Sequence, residues 1–227
     1  MTRSSCRALC LCLVLSLAAL ACGSNNSTSP GPSKSSSWDQ ARVGNTGTRW
    51  WINAIKDKFF FSNQISPSEQ DDTAGRAQLI SITQAMIAKL NSGSTAASLV
   101  PQASDIAGGW IPDQDQGFTA TNGPRTGTTL DQVTAFIDGG ADPFFCTDTA
   151  DPQKHCSALY QAQAFAWEIF MQSSGTSPYT LDVRVWQMAS AADAARVYTD
   201  LLQYALYSPN SVTWVDCGTD PANPCPL

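Results

Sequence analysis

The feature that most restricts the fold is the order of the periodic segments: two strand-like runs and a long helix-like run, followed by a second such set. Residues 48–65 (TRWWINAIKDKFFFSNQI) place runs rich in aromatic and β-branched residues on either side of a polar Lys56-Asp57-Lys58 turn. This composition predicts a β-hairpin. Residues 71–91 repeat apolar residues at three- and four-residue spacing, which predicts an amphipathic helix.

The later part of the chain predicts the second set. Residues 158–171 and 179–188 have the pattern of long strands, and residues 190–207 have that of a second long helix that opens on a capping-box-like Ser190. Residues 128–137 predict a short helix with Leu130, Val133 and Ile137 turned inward, and residues 212–215 predict a last short strand. This order favours an α+β fold, an antiparallel β-sheet with two long amphipathic helices packed on one face.

The N-terminal segment has the composition of an export signal. Arg3 and Arg7 precede an apolar run over residues 9–20, which is too short to cross a bilayer comfortably. Residues 19–22 (ALAC) then resemble a bacterial lipobox, with a small residue directly before a cysteine. We predict that residues 1–21 are a signal peptide.

The cysteine at that boundary is the predicted lipidation site. Cleavage before Cys22 makes it the mature N-terminus, and its thioether then carries diacylglycerol whose chains, such as palmitate, anchor the protein in the membrane. Gly23, which stands where an acid would favour the inner membrane, indicates the outer membrane of the cell envelope. A plain secretory signal cleaved nearby is the alternative.

The remainder of the chain divides by composition. Residues 22–37 comprise the lipidated cysteine and a flexible tether of Ser, Asn, Gly and Pro with no apolar residue to bury beyond Cys22. Residues 38–227 are predicted to form a single α+β domain. Within it, residues 38–91 supply a hairpin and a helix, and residues 105–227 supply the other strands and the second helix.

Charge and histidine content limit the function classes. The chain has 13 Lys and Arg against 19 Asp and Glu, a formal charge of −6, which argues against a nucleic-acid partner. A single His excludes mechanisms that need two imidazoles. The predicted partners are the membrane, through the lipid on Cys22, and an unknown envelope ligand or protein. No cofactor and no metal ligands are predicted.

The cysteines that follow the tether are even in number, which suggests two disulfides in an exported chain. Local pairing is the favoured connectivity among the three that are possible, and it would join Cys146 to Cys156 and Cys217 to Cys225. A zinc site that includes His155 is the alternative, although the CxxC spacing typical of structural zinc is missing.

Three segments together resemble an uncharacterised bacterial family of exported proteins, a domain of unknown function. These segments are Ile106-Ala107-Gly108-Gly109-Trp110, Ile137-Asp138-Gly139-Gly140-Ala141, and Val183-Arg184-Val185-Trp186-Gln187-Met188-Ala189-Ser190 leading into Asp193-Ala194. The resemblance implies that a hairpin and a final helix should follow, whereas here such a segment lies near the front. We therefore hypothesise a circular permutation in which residues 38–91 complete the sheet begun by residues 105–227. A truncated tandem copy is the rival explanation.

Aromatic and acidic residues supply the candidate binding positions, and no catalytic residue is predicted. Trp50 and Trp51 must point to opposite faces of a strand, so one of them is expected to be exposed and available to a ligand. Trp110 and the loop acids Asp138 and Asp142 complete the candidate set. A non-enzymatic ligand- or protein-binding module is the leading hypothesis. An extracytoplasmic hydrolase that uses carboxylates or a divalent metal is the alternative, and a purely structural lipoprotein is a third.

Acidic pairs elsewhere are weaker candidates. Asp113 and Asp115 (DQDQG) resemble the start of a calcium loop, but the glycine comes one position early and no bidentate Glu follows at the required spacing. We interpret these acids, and those around Asp148 and Asp151, as turn-forming residues.

Overall fold

The computed structural model describes residues 38–45, 47, 49–66, 73–113, 123–138, 157–172, 179–207, 213–218 and 225, and only the backbone of residues 201–207 and Thr213. Within these ranges the strands are β1 Gln40–Asn45, β2 Trp50–Lys56, β3 Phe59–Ser66, β4 Ile111–Pro112, β5 Arg125–Gly127, β6 Ala164–Gln172, β7 Tyr179–Gln187 and β8 Thr213–Cys217. The α-helices are α1 Thr73–Ala88, α2 Ala96–Leu99, α3 Leu130–Phe136 and α4 Ala191–Tyr207, and short 3₁₀ turns span Ala103–Asp105 and Leu159–Gln161.

The strands form one antiparallel sheet in the order β4-β6-β7-β3-β2-β1-β8, with β5 also paired to β6. The predicted hairpin is confirmed as β2 and β3, and its Asp57 takes the positive φ of 50° that a tight turn requires. The hairpin lies at the centre of the sheet, where β3 pairs with β7 and β2 pairs with β1. Strands from residues 38–91 and from residues 105–227 therefore belong to the same sheet.

Both faces of the sheet are covered, each by a different long helix. On the first, which we call the α1 face, α1 packs through Leu79, Ile82 and Met86 on alternate strand residues Ile52, Ala54, Phe59, Phe61, Ile65, Leu181, Val183 and Val185. On the second, the α4 face, α3 and α4 pack through Val133, Phe136, Ala194, Val197 and Tyr198 on Ile55, Phe60, Phe165, Trp167 and Trp186.

The α+β class is confirmed, but the placement of both helices on one face is wrong. Ile55 follows Ala54, and Phe60 precedes Phe61, and both Ala54 and Phe61 belong to the α1 face. Ile55 and Phe60 therefore point to the opposite face, where both side chains are buried in the α4 layer. The central strands are apolar on two sides, so each side needs a covering layer.

The helix boundaries follow local chemistry. Ser190 caps α4 as predicted, because its Oγ accepts a hydrogen bond of 3.2 Å from the backbone N–H of Asp193. Helix α3 forms as predicted and buries Val133 and Ile137, but Leu130 is 55% exposed rather than inward because it opens the first turn. The predicted strand over residues 158–171 begins only at Ala164, after the 3₁₀ turn.

Candidate binding site

Polar side chains line up across four neighbouring strands on the α4 face. Arg42 in β1 lies opposite Asn53 in β2, Asn53 lies opposite Ser62 in β3, and Ser62 lies opposite Arg184 in β7. These four residues, which we call the polar row, are only 1%, 2%, 3% and 5% exposed in that order. Directly opposed side chains in antiparallel strands lie within reach of each other. The row is therefore a continuous polar strip inside the protein.

The Arg184 end of the polar row is electrically balanced. The carboxylate of Asp182 accepts hydrogen bonds from Arg184 Nη2 at 2.6 Å, from Trp167 Nε1 at 2.7 Å and from Gln64 Nε2 at 2.8 Å. The Arg184 guanidinium also lies over the Trp167 ring, 4.8 Å from its centroid. A buried cation is tolerated when it has a charged partner and hydrogen bonds, and Arg184 has both.

The Arg42 end is not balanced in that way. Its guanidinium carbon lies 5.1 Å from the ring centroid of Tyr198 in α4 and 4.7 Å from that of Trp214 in β8. Its Nε has no hydrogen-bond partner among the described residues. Ion pairs between described side chains join Lys56 to Asp39, Lys89 to Asp105, Arg184 to Asp182 and Arg196 to Asp193. Arg42 belongs to none of these pairs.

The acid directly opposite Arg42 in the sheet is Asp216 of β8. These two residues are directly opposed in the β1–β8 ladder, but the Asp216 side chain is exposed and its oxygens do not come within ion-pair distance. The Asp216 carboxylate therefore acts on Arg42 by longer-range electrostatic attraction and not by direct contact. Asp216 therefore offsets part of the buried positive charge without making a hydrogen-bonded pair.

Burial sets the protonation of this cluster. Desolvation lowers the pKa of Arg42 to about 10, although Tyr198 and Asp216 act in the opposite direction. Desolvation also raises the pKa of Tyr198 to about 12, against the effect of Arg42. At neutral pH the guanidinium remains charged and the phenol remains neutral. A single positive charge is therefore enclosed between two aromatic rings.

Short side chains lie beside Arg42 along the polar row. Ser62 Oγ donates a hydrogen bond of 3.1 Å to Asn53 Oδ1, so the NH₂ group is the end of the Asn53 amide that remains to donate elsewhere. Asn53 is also the direct cross-strand neighbour of Arg42. The Arg42 end thus presents a guanidinium and an amide N–H group, which are both hydrogen-bond donors.

The predicted tryptophan positions do not form an exposed surface. Trp50 and Trp51 do point to opposite faces, but both are buried, because α1 covers one face and the α4 layer covers the other. Trp110 is also buried, in the core beneath α1. The expectation that one of the paired tryptophans is available on the sheet surface is therefore wrong.

The predicted acidic positions do not come together. Asp138 is exposed and accepts a hydrogen bond of 2.8 Å from the Tyr160 hydroxyl, and Asp142 lies outside the described residues. Asp113 is buried, and its backbone N–H donates to the Ile169 carbonyl at 2.8 Å, which extends the β4–β6 pairing. Asp115, Asp148, Asp151 and His155 also lie outside the described residues.

One of the two predicted disulfides is confirmed, between Cys217 at the end of β8 and Cys225. Cys225 is buried against the α1 face, and its carbonyl accepts a hydrogen bond of 2.6 Å from Arg76 Nη2. The zinc alternative is thereby excluded for this pair. Cys22, Cys146 and Cys156 lie outside the described residues, so lipidation and the second disulfide stay predictions.

The polar row was missed because its pattern resembles that of an amphipathic strand. In β7, Leu181, Val183 and Val185 alternate with Asp182 and Arg184, which ordinarily indicates one buried face and one face in water. The signal that argues otherwise is Trp186 at the next position of the polar side. A large aromatic residue in line with two charges suggests that this side is also covered.

The protein is an α+β sheet protein with helices on both faces and a buried polar row on one of them. No family model, no curated protein and no solved structure matches the chain. Among the helices that the structure describes, none combines the length and apolar composition needed to cross a membrane. The described residues also contain no group of three or more His, Cys, Asp and Glu side chains arranged to hold a metal ion.

Proposed function

We propose that this protein is an exported, lipid-anchored envelope protein whose folded domain is a non-enzymatic binding module for a small molecule. The anchoring part rests on the signal pattern before Cys22 and on the tether composition of residues 22–37. The binding part rests on the α4 face of the sheet. The buried polar row on this face offers hydrogen-bonding groups to a polar ligand, which supports the proposal.

The observation that carries the binding proposal is the contrast between two arginines of one buried row. Arg184 has Asp182 as a hydrogen-bonded counter-ion, whereas Arg42 has two aromatic rings and no carboxylate at ion-pair distance among the described residues. A buried charge without such a partner is unfavourable for folding. It is therefore more readily explained as part of a binding site than as a device for stability.

Anchoring is tested with Cys22→Ala, and Cys12→Ala inside the predicted signal is the matched control. We expect the exported wild-type protein and Cys12→Ala to partition with membranes and to incorporate labelled palmitate. Cys22→Ala should lose the label and accumulate as precursor or appear in the soluble fraction. Labelling that persists in Cys22→Ala would contradict the proposed anchor.

Binding is tested by mass spectrometry of the exported protein, purified in detergent and measured under native and then denaturing conditions. We expect an additional small-molecule mass that disappears on denaturation, or a rise in the unfolding temperature with at least one member of a metabolite panel. A protein that carries no such mass and whose unfolding temperature no compound raises would contradict the binding module. The denatured mass also reports whether the predicted second disulfide is present.

A further inference from the structure

We infer that the ligand of this module is a carboxylate monoanion, held by the Arg42 guanidinium in the cross-strand pair of Arg42 with Asn53. The inference rests on the proposed function and specifies the chemistry of its ligand. Its observations are the burial of Arg42, the lack of a partner for Nε among the described residues, and the absence of Arg42 from their ion pairs.

The site calls for an anion because the enclosed charge is only partly offset. The Tyr198 and Trp214 rings stabilise a cation through their π faces, but they accept no conventional hydrogen bond from the guanidinium N–H groups. The directly opposed acid, Asp216, stays exposed and outside ion-pair distance. An anionic oxygen at Nε and Nη would supply the missing acceptors.

The charge count favours one negative charge over two. Arg42 supplies a single positive charge, and the charge of Arg184 is already matched by Asp182. A dianionic phosphate would add an uncompensated negative charge near Asp216 in a poorly solvated place. A carboxylate monoanion balances Arg42 and brings no excess charge.

The donor geometry points the same way. A guanidinium presents parallel N–H bonds in one plane, which match the two oxygens of a planar carboxylate. The Asn53 amide, which lies beside Arg42 in the ladder, has its oxygen occupied by Ser62 and its NH₂ end still able to donate. The Arg42 guanidinium and the Asn53 amide together supply enough N–H donors to hydrogen-bond both oxygens of a carboxylate.

The test is a titration of the ¹⁵N-labelled exported protein, in detergent, with sodium acetate, sodium benzoate and sodium phosphate. The readout is the Nε–Hε resonance of Arg42, which is assigned by its loss in Arg42→Lys. We expect acetate or benzoate to shift this resonance saturably, with phosphate binding at least tenfold more weakly. Arg42→Lys, which keeps the charge but not the planar donors, should weaken carboxylate binding at least tenfold by calorimetry.

Two further variants keep the inference falsifiable if Arg42→Lys unfolds. Asp216→Asn removes the only directly opposed negative charge and should tighten carboxylate binding several-fold. Arg196→Gln removes an exposed arginine of the same helix as Tyr198 and should leave the affinity within about twofold. A weakening by Arg196→Gln as large as the tightening by Asp216→Asn would indicate general surface electrostatics and would overturn the assignment.

The outcomes separate this inference from the proposed function. Carboxylates that fail to shift Arg42 while native mass spectrometry detects another bound compound would overturn the inference and leave the binding module in place. Phosphate that binds more tightly than the carboxylates, in an Arg42-dependent manner, would overturn the monoanion argument. A protein that binds no compound in either experiment would contradict both proposals.

Discussion

Replacement of Asp182 by Asn tests whether the buried polar row is an integrated part of the fold. Each of the three groups that contact the Asp182 carboxylate, from Arg184, Trp167 and Gln64, is an N–H donor, at 2.6, 2.7 and 2.8 Å. An amide of the same shape turns one oxygen into a donor, so at least one of these contacts becomes repulsive. It also removes the counter-charge of Arg184, whose side chain is only 6% exposed.

The expected cost follows from these losses. Removal of one partner of a buried ion pair destabilises a protein by roughly 3–5 kcal/mol, because the other charge is left without compensation. The assay is urea unfolding of the exported protein at neutral pH, followed by tryptophan fluorescence and by circular dichroism. Asp138→Asn is the matched control, because its carboxylate is exposed and accepts a hydrogen bond from the Tyr160 hydroxyl at the surface, and it should cost less than about 0.5 kcal/mol.

A double variant refines the same prediction. Asp182→Leu with Arg184→Met replaces both charges by apolar groups and should be considerably more stable than Asp182→Asn, because no unpaired charge is buried. If Asp182→Asn costs less than about 1 kcal/mol, the carboxylate is not the buried counter-ion of Arg184. The contrast between the two arginines, on which the binding proposal depends, would then lose its basis.

Three further predictions concern stability. Cys225→Ser opens a loop of sequence separation 8 and should cost about 2–3 kcal/mol relative to the oxidised wild-type protein, measured by urea unfolding, and the difference should vanish when both proteins are fully reduced. Burial raises the pKa of Glu168. The stability that its protonated form contributes is therefore present at low pH and is lost as the pH rises through the folded-state pKa. Glu168→Gln should therefore gain stability over wild type between about pH 4 and about pH 8, and an unchanged difference in urea midpoint would refute this. Phe136→Ala, which removes a ring stacked 3.9 Å from Phe165, should cost about 3–5 kcal/mol and reduce the near-ultraviolet dichroism.

The sequence predicts the long elements because their periodicity is strong. The hairpin of β2 and β3, both long helices and β7 were all predicted within a few residues of the observed bounds. In each of them, period-two or three-to-four spacing of apolar residues extends over several turns or strand positions. Such patterns survive tertiary packing, since the same residues also form the core.

Strand β1 was not predicted, because its composition is untypical of a strand. The apolar alternation within Gln40–Asn45 extends over Ala41 and Val43 alone, and Gly44 and Asn45 have low strand propensity. Pairing with β2 on one side and β8 on the other supplies the backbone hydrogen bonds that its propensity does not favour. Arg42, the centre of the candidate site, occupies the polar side of this short alternation, so the pattern gives no sign that it is buried.

The covering of the second sheet face could not be predicted from single elements. The sequence of α4 identifies an apolar stripe but does not specify which side of the sheet receives it. That choice depends on Ile55, Phe60 and Trp186, which lie in three different strands and come together only through the registers of the sheet. The same registers assemble the polar row from β1, β2, β3 and β7, so the candidate site is a property of the topology.

The hypothesis of circular permutation requires a particular arrangement of the chain ends in the fold. A permuted chain needs its ends close together, and here the Trp38 indole donates a hydrogen bond of 2.9 Å to the carbonyl of Gly218, across 180 residues of sequence.

A chain that joins residue 227 to Trp38 through a flexible linker and opens between the exposed residues Ser92 and Gly93 should restore the order of the resembling family. We expect it to unfold in one cooperative transition, as the native order should. Opening instead between Ser62 and Asn63, inside the central strand β3, should abolish folding. Two separate transitions in the first permutant would contradict the hypothesis, because residues 38–91 and 105–227 would then behave as separate units rather than as parts of one sheet.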